Sequence, residues 1–440
     1  MSSRFFVPRL SNRLAQALCL LVFSIVCSSS RGAVNPARPT IPDKVFSVAA
    51  YKAMGDGETD NTAAIQAALD AANSAGGGTV EIPAGNFLCG PLRFYSKINF
   101  LLSEGAVLRM LPLDRYPGGS QNPQSFISGS NLRDVAITGK GTIDGQGAAW
   151  WPHYKEKGFN RPRMIALGGC ERVLIEGVTL MNSPMFHIAI GGGSSDVIVK
   201  RVTIRAPASR DSDNPSHNSD ACDVSGHNIL IQDCDVSVGD DNFTCGGGTY
   251  DVLITNCKYG YGHGVSIGSP TKGGVHDITV THCTFTNTEC GIRIKTDRDR
   301  GGHLRSLVYS DLQMTNVDFP ILVYAAYMAK EREFRDLTNL SPEIVKRYAA
   351  APVTPLTPIY SDIVFQNITA TVANGRRAGL IWGLPESKAT HILLRNVKIT
   401  ADKPFGVYSA KEVRFENCEI KTPEGVNKFS TFDAEMAVVP

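Results

Sequence analysis

An all-β fold, a parallel β-helix closed at its N-terminal end by one capping helix, is what this 440-residue sequence predicts. Three observations carry that expectation. From residue 130 onward, short strand-like segments recur, among them DVAITG, RVLIEG, DVIVKR, NILIQD and DVLITN. Their apolar anchors fall at Val135, Val173, Val197, Ile229, Val252, Ile278, Leu307, Ile363, Ile392 and Val413, mostly 21 to 38 residues apart. Alternating β-branched residues followed by a polar turn, at that period, describe the coils of a solenoid. Asn256, Asn367, Asn396 and Asn417 each stand four residues after an anchor, where stacked amides can bond from coil to coil. Cys234, Cys257, Cys283 and Cys418 each stand five after an anchor. Val178, Val202 and Val397 fill that column elsewhere, so it reads as an interior stack of small apolar side chains.

The chain then divides in order. In residues 1–33, Arg4, Arg9 and Arg13 precede an apolar run from Leu14 to Cys27. This reads as a secretory signal peptide cut near Ser30 or Ala33, too short for a comfortable membrane span. Cleavage at Cys27 as in a lipoprotein is the weaker reading, because Val26 is a poor residue before such a cysteine. Removing the leader removes four arginines and no acid, taking the formal charge from +2 to −2. No long-range attraction of polyanions is expected, and no basic stripe supports nucleic-acid binding. Residues 34–440 are expected to form a single β-helix domain, a monomer with no membrane contact. It opens with a helix: Asp60 as cap, Ile65, Ala68, Leu69 and Ala72 on one face, Gly76–Gly78 after it. Such a helix covers the otherwise open end of a solenoid.

Two stretches break the period. Residues 145–165 carry Trp150, Trp151, Arg161 and Arg163, and residues 320–360 include a helix-like KEREFRDLTNLSPEIVKRYAA before PVTPLTP. Long excursions of this kind commonly wall a groove. Nine cysteines follow the leader. Their spacing matches no zinc site, and a disulfide among Cys222, Cys245 and Cys290 stays open for a secreted chain.

The chemistry gathers between His217 and Thr296. SDACDV, DDNFTC, GHGVSI and ECGIRI share one frame, which aligns Asp220, Asp241, His263 and Cys290 at spacings of 21, 22 and 27. Asp240 stands beside Asp241, while Arg293 and Lys295 follow Cys290 on one strand face. Neighbouring rungs lie about 4.8 Å apart, so three acids, a histidine and two cations fall on adjacent coils. Glycoside hydrolysis needs a protonated carboxyl and a carboxylate, and crowded acids raise at least one pKa, with the titration belonging to the set. The two cations suit a sugar carboxylate. Each piece also has a plainer reading: a solvated Asp-Asp turn, a calcium-binding acid ladder, or a structural histidine between glycines.

NSD at 218–220, GDD at 239–241, GHGVSIGS at 262–269 and RIKT at 293–296 resemble the four motifs of the polygalacturonases of glycoside hydrolase family 28. The resemblance implies a right-handed parallel β-helix hydrolysing α-1,4-galacturonosyl linkages of homogalacturonan with inversion, needing no cofactor or metal. It further implies Asp240 as general acid, Asp220 and Asp241 on the attacking water, and His263 supporting the acid's protonation. Arg293 and Lys295 would bind the galacturonate carboxylate, with Tyr327 as the substrate-contacting tyrosine ahead of Tyr324. Ser219 stands where the family prefers threonine, and Ala221-Cys222 where it prefers Gly-Ile, which bears on subsite shape. A polyuronate lyase with Arg293 as base and calcium on the aspartates is the second reading. A non-catalytic carbohydrate-binding β-helix is the third. Endo or exo attack is open at this level.

Overall fold

The computed structural model describes residues 34–211 and 213–440, so the proposed leader lies outside the described residues. Residues 35–440 make one compact unit. Every strand pairing in it is parallel, each strand bonding to the one a coil before and the one a coil after. The apolar anchors form an unbroken in-register column, Val135–Val173–Val197–Ile229–Val252–Ile278–Leu307–Ile363–Ile392–Val413. All ten are buried, as strands wound around a single apolar core must be.

The turns follow from the same repeat. Asn256, Asn367, Asn396 and Asn417 all adopt left-handed backbone, φ 49° to 55°, which asparagine tolerates better than most residues. The predicted ladder is present: Asn417 Nδ2 donates to Asn396 Oδ1 at 2.8 Å, and Asn396 Nδ2 to Asn367 Oδ1 at 2.9 Å. Aspartates complete it, with Asp311 accepting from Asn367 and Asp233 from Asn256. Cys234, Cys257 and Cys283 stack inside as expected. The nine described cysteines are all free thiols, so no bridge joins Cys222, Cys245 and Cys290.

The capping helix is Thr62–Ser74, with Ile65, Ala68, Leu69 and Ala72 buried on its inner face. Its N-cap residue is Asn61; Asp60, expected there, instead accepts from the Thr62 amide at 2.9 Å. The second excursion also starts later than its composition suggests. Phe319–Tyr324 is a strand in register with Cys290–Lys295, since FPILVY is apolar enough to sit wholly buried in a rung. Only after Tyr324 does the chain leave the sheet, forming short helices Arg332–Arg335 and Pro342–Val345. Phe334, tilted, and Tyr348, edge-on, dock this excursion against Trp382. No helix among the described residues is long and apolar enough to cross a membrane.

Candidate active site

Four strands build the site, the first being Cys222–Gln232. Phe243–Cys245, Val265–Ile267 and Cys290–Lys295 pair in the frame read from sequence, with Thr244, Ser266 and Arg293 in one column and Asp223 beside Thr244. The residues just before these strands leave the ladder, which turns Asp220, Asp240, Asp241 and His263 toward one groove. Glycines allow the tight path around His263. Gly264 has φ +78°, and a Cβ there would lie 2.0 Å from the Cys290 carbonyl oxygen.

A cavity of about 450 Å³ is lined by Asp220, Asp240, Asp241, His263, Arg293, Lys295 and Tyr327 together. The seven site residues expected from sequence thus share one wall. Cys290, aligned in the same column, does not join them: it is buried in the core, 1% exposed. Tyr324 is buried too, whereas Tyr327 is half-buried with its ring centroid 5.1 Å from Lys295 Nζ.

The two cations of the expected clamp are both engaged by Asp241. Lys295 Nζ donates to Asp241 Oδ2 at 3.0 Å, and Arg293 pairs with Asp241 Oδ1, which also accepts from Ser266 Oγ at 2.8 Å. Arg293, Lys295 and Asp241 are all buried, so charge balance requires this contact. Asp240 has a different setting. Its Oδ1 lies 3.0 Å from His263 Nδ1 and accepts from the Asp241 amide at 2.9 Å. Its Oδ2 accepts from the Asn218 amide at 3.2 Å.

These contacts separate the three carboxyls. Burial, then the charges of Asp240, Asp241 and Asp223, drives Asp220 well above the usual carboxylate range. Its Oδ1 is buried without a hydrogen-bond partner among the described residues. Burial also opposes ionisation of Asp240, but the His263 imidazole, Arg293 and Lys295 outweigh it and hold that group low. Asp241 is lowered as well, burial being overcome by Arg293 and Lys295. One carboxyl is therefore pushed up while its two neighbours are pushed down.

Several partners were not singled out from sequence. Glu289 Oε2 lies 3.1 Å from His263 Nε2, so the imidazole spans two carboxylates. Asp223 lines the cavity and is pushed up to about 6 by burial and Asp241. Arg161, noted only as part of a long loop, donates to the His217 carbonyl and to Asn218 Oδ1, both at 2.7 Å. Tyr154 of that loop stacks on His217 with centroids 4.1 Å apart. The first excursion therefore fastens the Asn218-Ser219-Asp220 turn. The shared frame made Glu289 readable, since it aligns with Asp240; Arg161 leaves no sequence signal, because its partners are mostly carbonyl groups.

Asp240, Asp241 and His263 also offer ligand atoms within 4.8 Å of one another, a candidate metal set. The fit is poor. Asp241 already spends both oxygens on Arg293 and Lys295, and two adjacent cations repel a third.

The profile described as Glycosyl hydrolases family 28 matches residues 74–419. The chain belongs to that family. Within family 28, the protein is a glycoside hydrolase. A second profile, described as Rhamnogalacturonase A/epimerase, pectate lyase-like, matches residues 45–101 around the capping helix. An endo-polygalacturonase of Pectobacterium carotovorum subsp. carotovorum is 30% identical over 384 residues, covering 79% of this chain and 86% of that one. The solved polygalacturonase from Erwinia carotovora ssp. carotovora matches with TM-score 0.64 and 26% identity, covering 93% of this chain and 100% of that one. An exopolygalacturonase from Thermotoga maritima matches with TM-score 0.74 and 23% identity, over 88% and 94% of the two chains. The fold is the right-handed parallel β-helix of these structures.

Proposed function

We propose that this family 28 hydrolase is a secreted polygalacturonase that cleaves α-1,4-galacturonosyl linkages of homogalacturonan with inversion. The observation that carries the reading is one groove in which a histidine-backed carboxyl, a cation-locked carboxylate and a third carboxyl of raised proton affinity face the same space. Relatives bearing the name polygalacturonase support the substrate.

Asp240 gives its proton to the leaving oxygen. His263, bridged to Glu289 on its far side, supplies the proton that Asp240 cannot keep alone. Asp220 and Asp241 hold the attacking water. Asp241, fixed as an anion, orients it; Asp220, entering the step as a carboxylate, accepts the proton released, and its raised proton affinity favours that transfer. The spare N–H groups of Arg293 and Lys295 bind the galacturonate carboxylate while Asp241 fixes their positions. Tyr327 packs beside that carboxylate at the groove wall. The charged leader proposed for residues 1–33 carries the chain out of the cytoplasm to its substrate.

The lyase reading asks Arg293 to be a base. Burial disfavours its charge, but Asp241 outweighs burial and holds the guanidinium proton above its ordinary affinity. Polygalacturonate digested with and without chelator tests the choice. Saturated products with inverted anomeric configuration, formed at equal rate in chelator, are expected. An ultraviolet-absorbing unsaturated product that needs a divalent cation would overturn the hydrolase mechanism.

A further inference from the structure

Beyond Asp223 the catalytic cavity opens into a second, larger groove of about 790 Å³ on the N-terminal side, and Phe186, Asp223 and Ser225 line both. Its floor is a register column of small residues: Ser128, Ala166 and Ala189 succeed one another between Arg93 and Asp223. Small side chains keep that floor low enough for an extended ligand. Two guanidiniums stand along it. Arg93 heads the column, four coil steps from Asp223, and Arg163 stands beside the column, two residues before the strand Ile165–Gly168, on the coil two steps from Asp223.

Neither cation is used by the fold. Arg172, Arg201 and Arg298 are each held by a carboxylate, whereas Arg93 and Arg163 form no ion pair with a carboxylate among the described residues, and Arg163 acts on Asp223 only through its charge, which lowers that group. Each rests instead on an aromatic face, Arg93 at 5.4 Å from the Tyr95 centroid and Arg163 at 5.4 Å from that of Phe186. Stacking orients a guanidinium and leaves its N–H edge free for a carboxylate. Both side chains are exposed.

We propose that Arg163 and Arg93 are specificity-determining residues, each receiving one free carboxylate of a uronan chain that runs from the catalytic aspartates along this groove. The inference rests on the polygalacturonase reading. One coil step, about 4.8 Å, is close to the advance of one pyranose, and a linear uronan that turns over at each residue shows every second carboxylate to the same wall. The two-step interval between Arg163 and Arg93 matches that repeat. Longer, unesterified oligomers gain contacts that short ones cannot reach.

The test uses the full enzyme and its Arg163→Gln and Arg93→Gln variants on galacturonate oligomers of increasing length, from the dimer to the octamer. Parent kcat/KM rises with length. Each variant loses about tenfold on long oligomers, as expected for one charge-assisted hydrogen-bond pair, with kcat at saturation and the rate on the shortest cleaved oligomer unchanged. Methyl-esterified long oligomers show no difference between parent and variants. Variants that keep the parental length dependence, or that lose short and long substrates equally, overturn the inference alone. A parent inactive on every oligomer overturns the polygalacturonase reading, and this inference with it.

Discussion

Asp241→Asn separates the two duties of this carboxylate. The substitution keeps shape but removes the anion between Arg293 and Lys295, both 6% exposed. Removing one member of a buried ion pair typically costs about 3–5 kcal/mol, because the partner charge is left uncompensated. For a chain of this length that corresponds to a fall in melting temperature of roughly 4–6 °C. The pH dependence has a definite sign. Asp241 is held below its ordinary pKa by Arg293 and Lys295, so its stabilisation is fully present above the unfolded value, about 3.9, and is lost as pH falls through the depressed folded value. The gap between parent and variant, measured by thermal melts across pH, should be widest near neutrality and close in acid. Turnover should fall at least about 10²-fold, while affinity for a galacturonate oligomer holds or tightens, since two cations now face the ligand alone. A variant as stable as the parent at neutral pH, or one that loses oligomer binding along with turnover, would refute the locked-carboxylate account.

Three further outcomes follow from the same geometry. Asp240→Asn should lower kcat by about 10³-fold in a reducing-end assay while circular dichroism keeps the parental β signature; near-parental turnover would remove Asp240 as the acid. Asp223, raised to about 6 by burial and by Asp241, is neutral below that pH and anionic above it. Activity on polygalacturonate should therefore decline as pH rises through about 6, through repulsion of the uronate, and Asp223→Asn should flatten that descent in a pH profile of kcat/KM. Arg161→Ala releases Asn218 from its 2.7 Å bond and should cost about tenfold in kcat with little change in KM, measured by initial rates.

The coil register was readable because its cause is repetitive. A one-residue slip would turn every anchor outward, so ten anchors from Val135 to Val413 could hardly sit in any other frame, and they pair in that frame. The same frame places Asp220, Asp241 and His263 at one wall. What it could not give is the partner of each charge. A frame fixes rungs but not rotamers, and Arg293 turns to Asp241 because a buried guanidinium facing a buried carboxylate is cheaper than either alone. The two excursions were legible only as interruptions. Their contacts run to carbonyl oxygens and ring faces, such as Arg161 on His217 and Tyr348 on Trp382, which leave no periodic mark in a sequence. This division has a functional consequence. The periodic part sets which acids meet, and the aperiodic part, through Arg161 and the arginine on its other side, sets how rigidly they are held and how much uronan lies beside them.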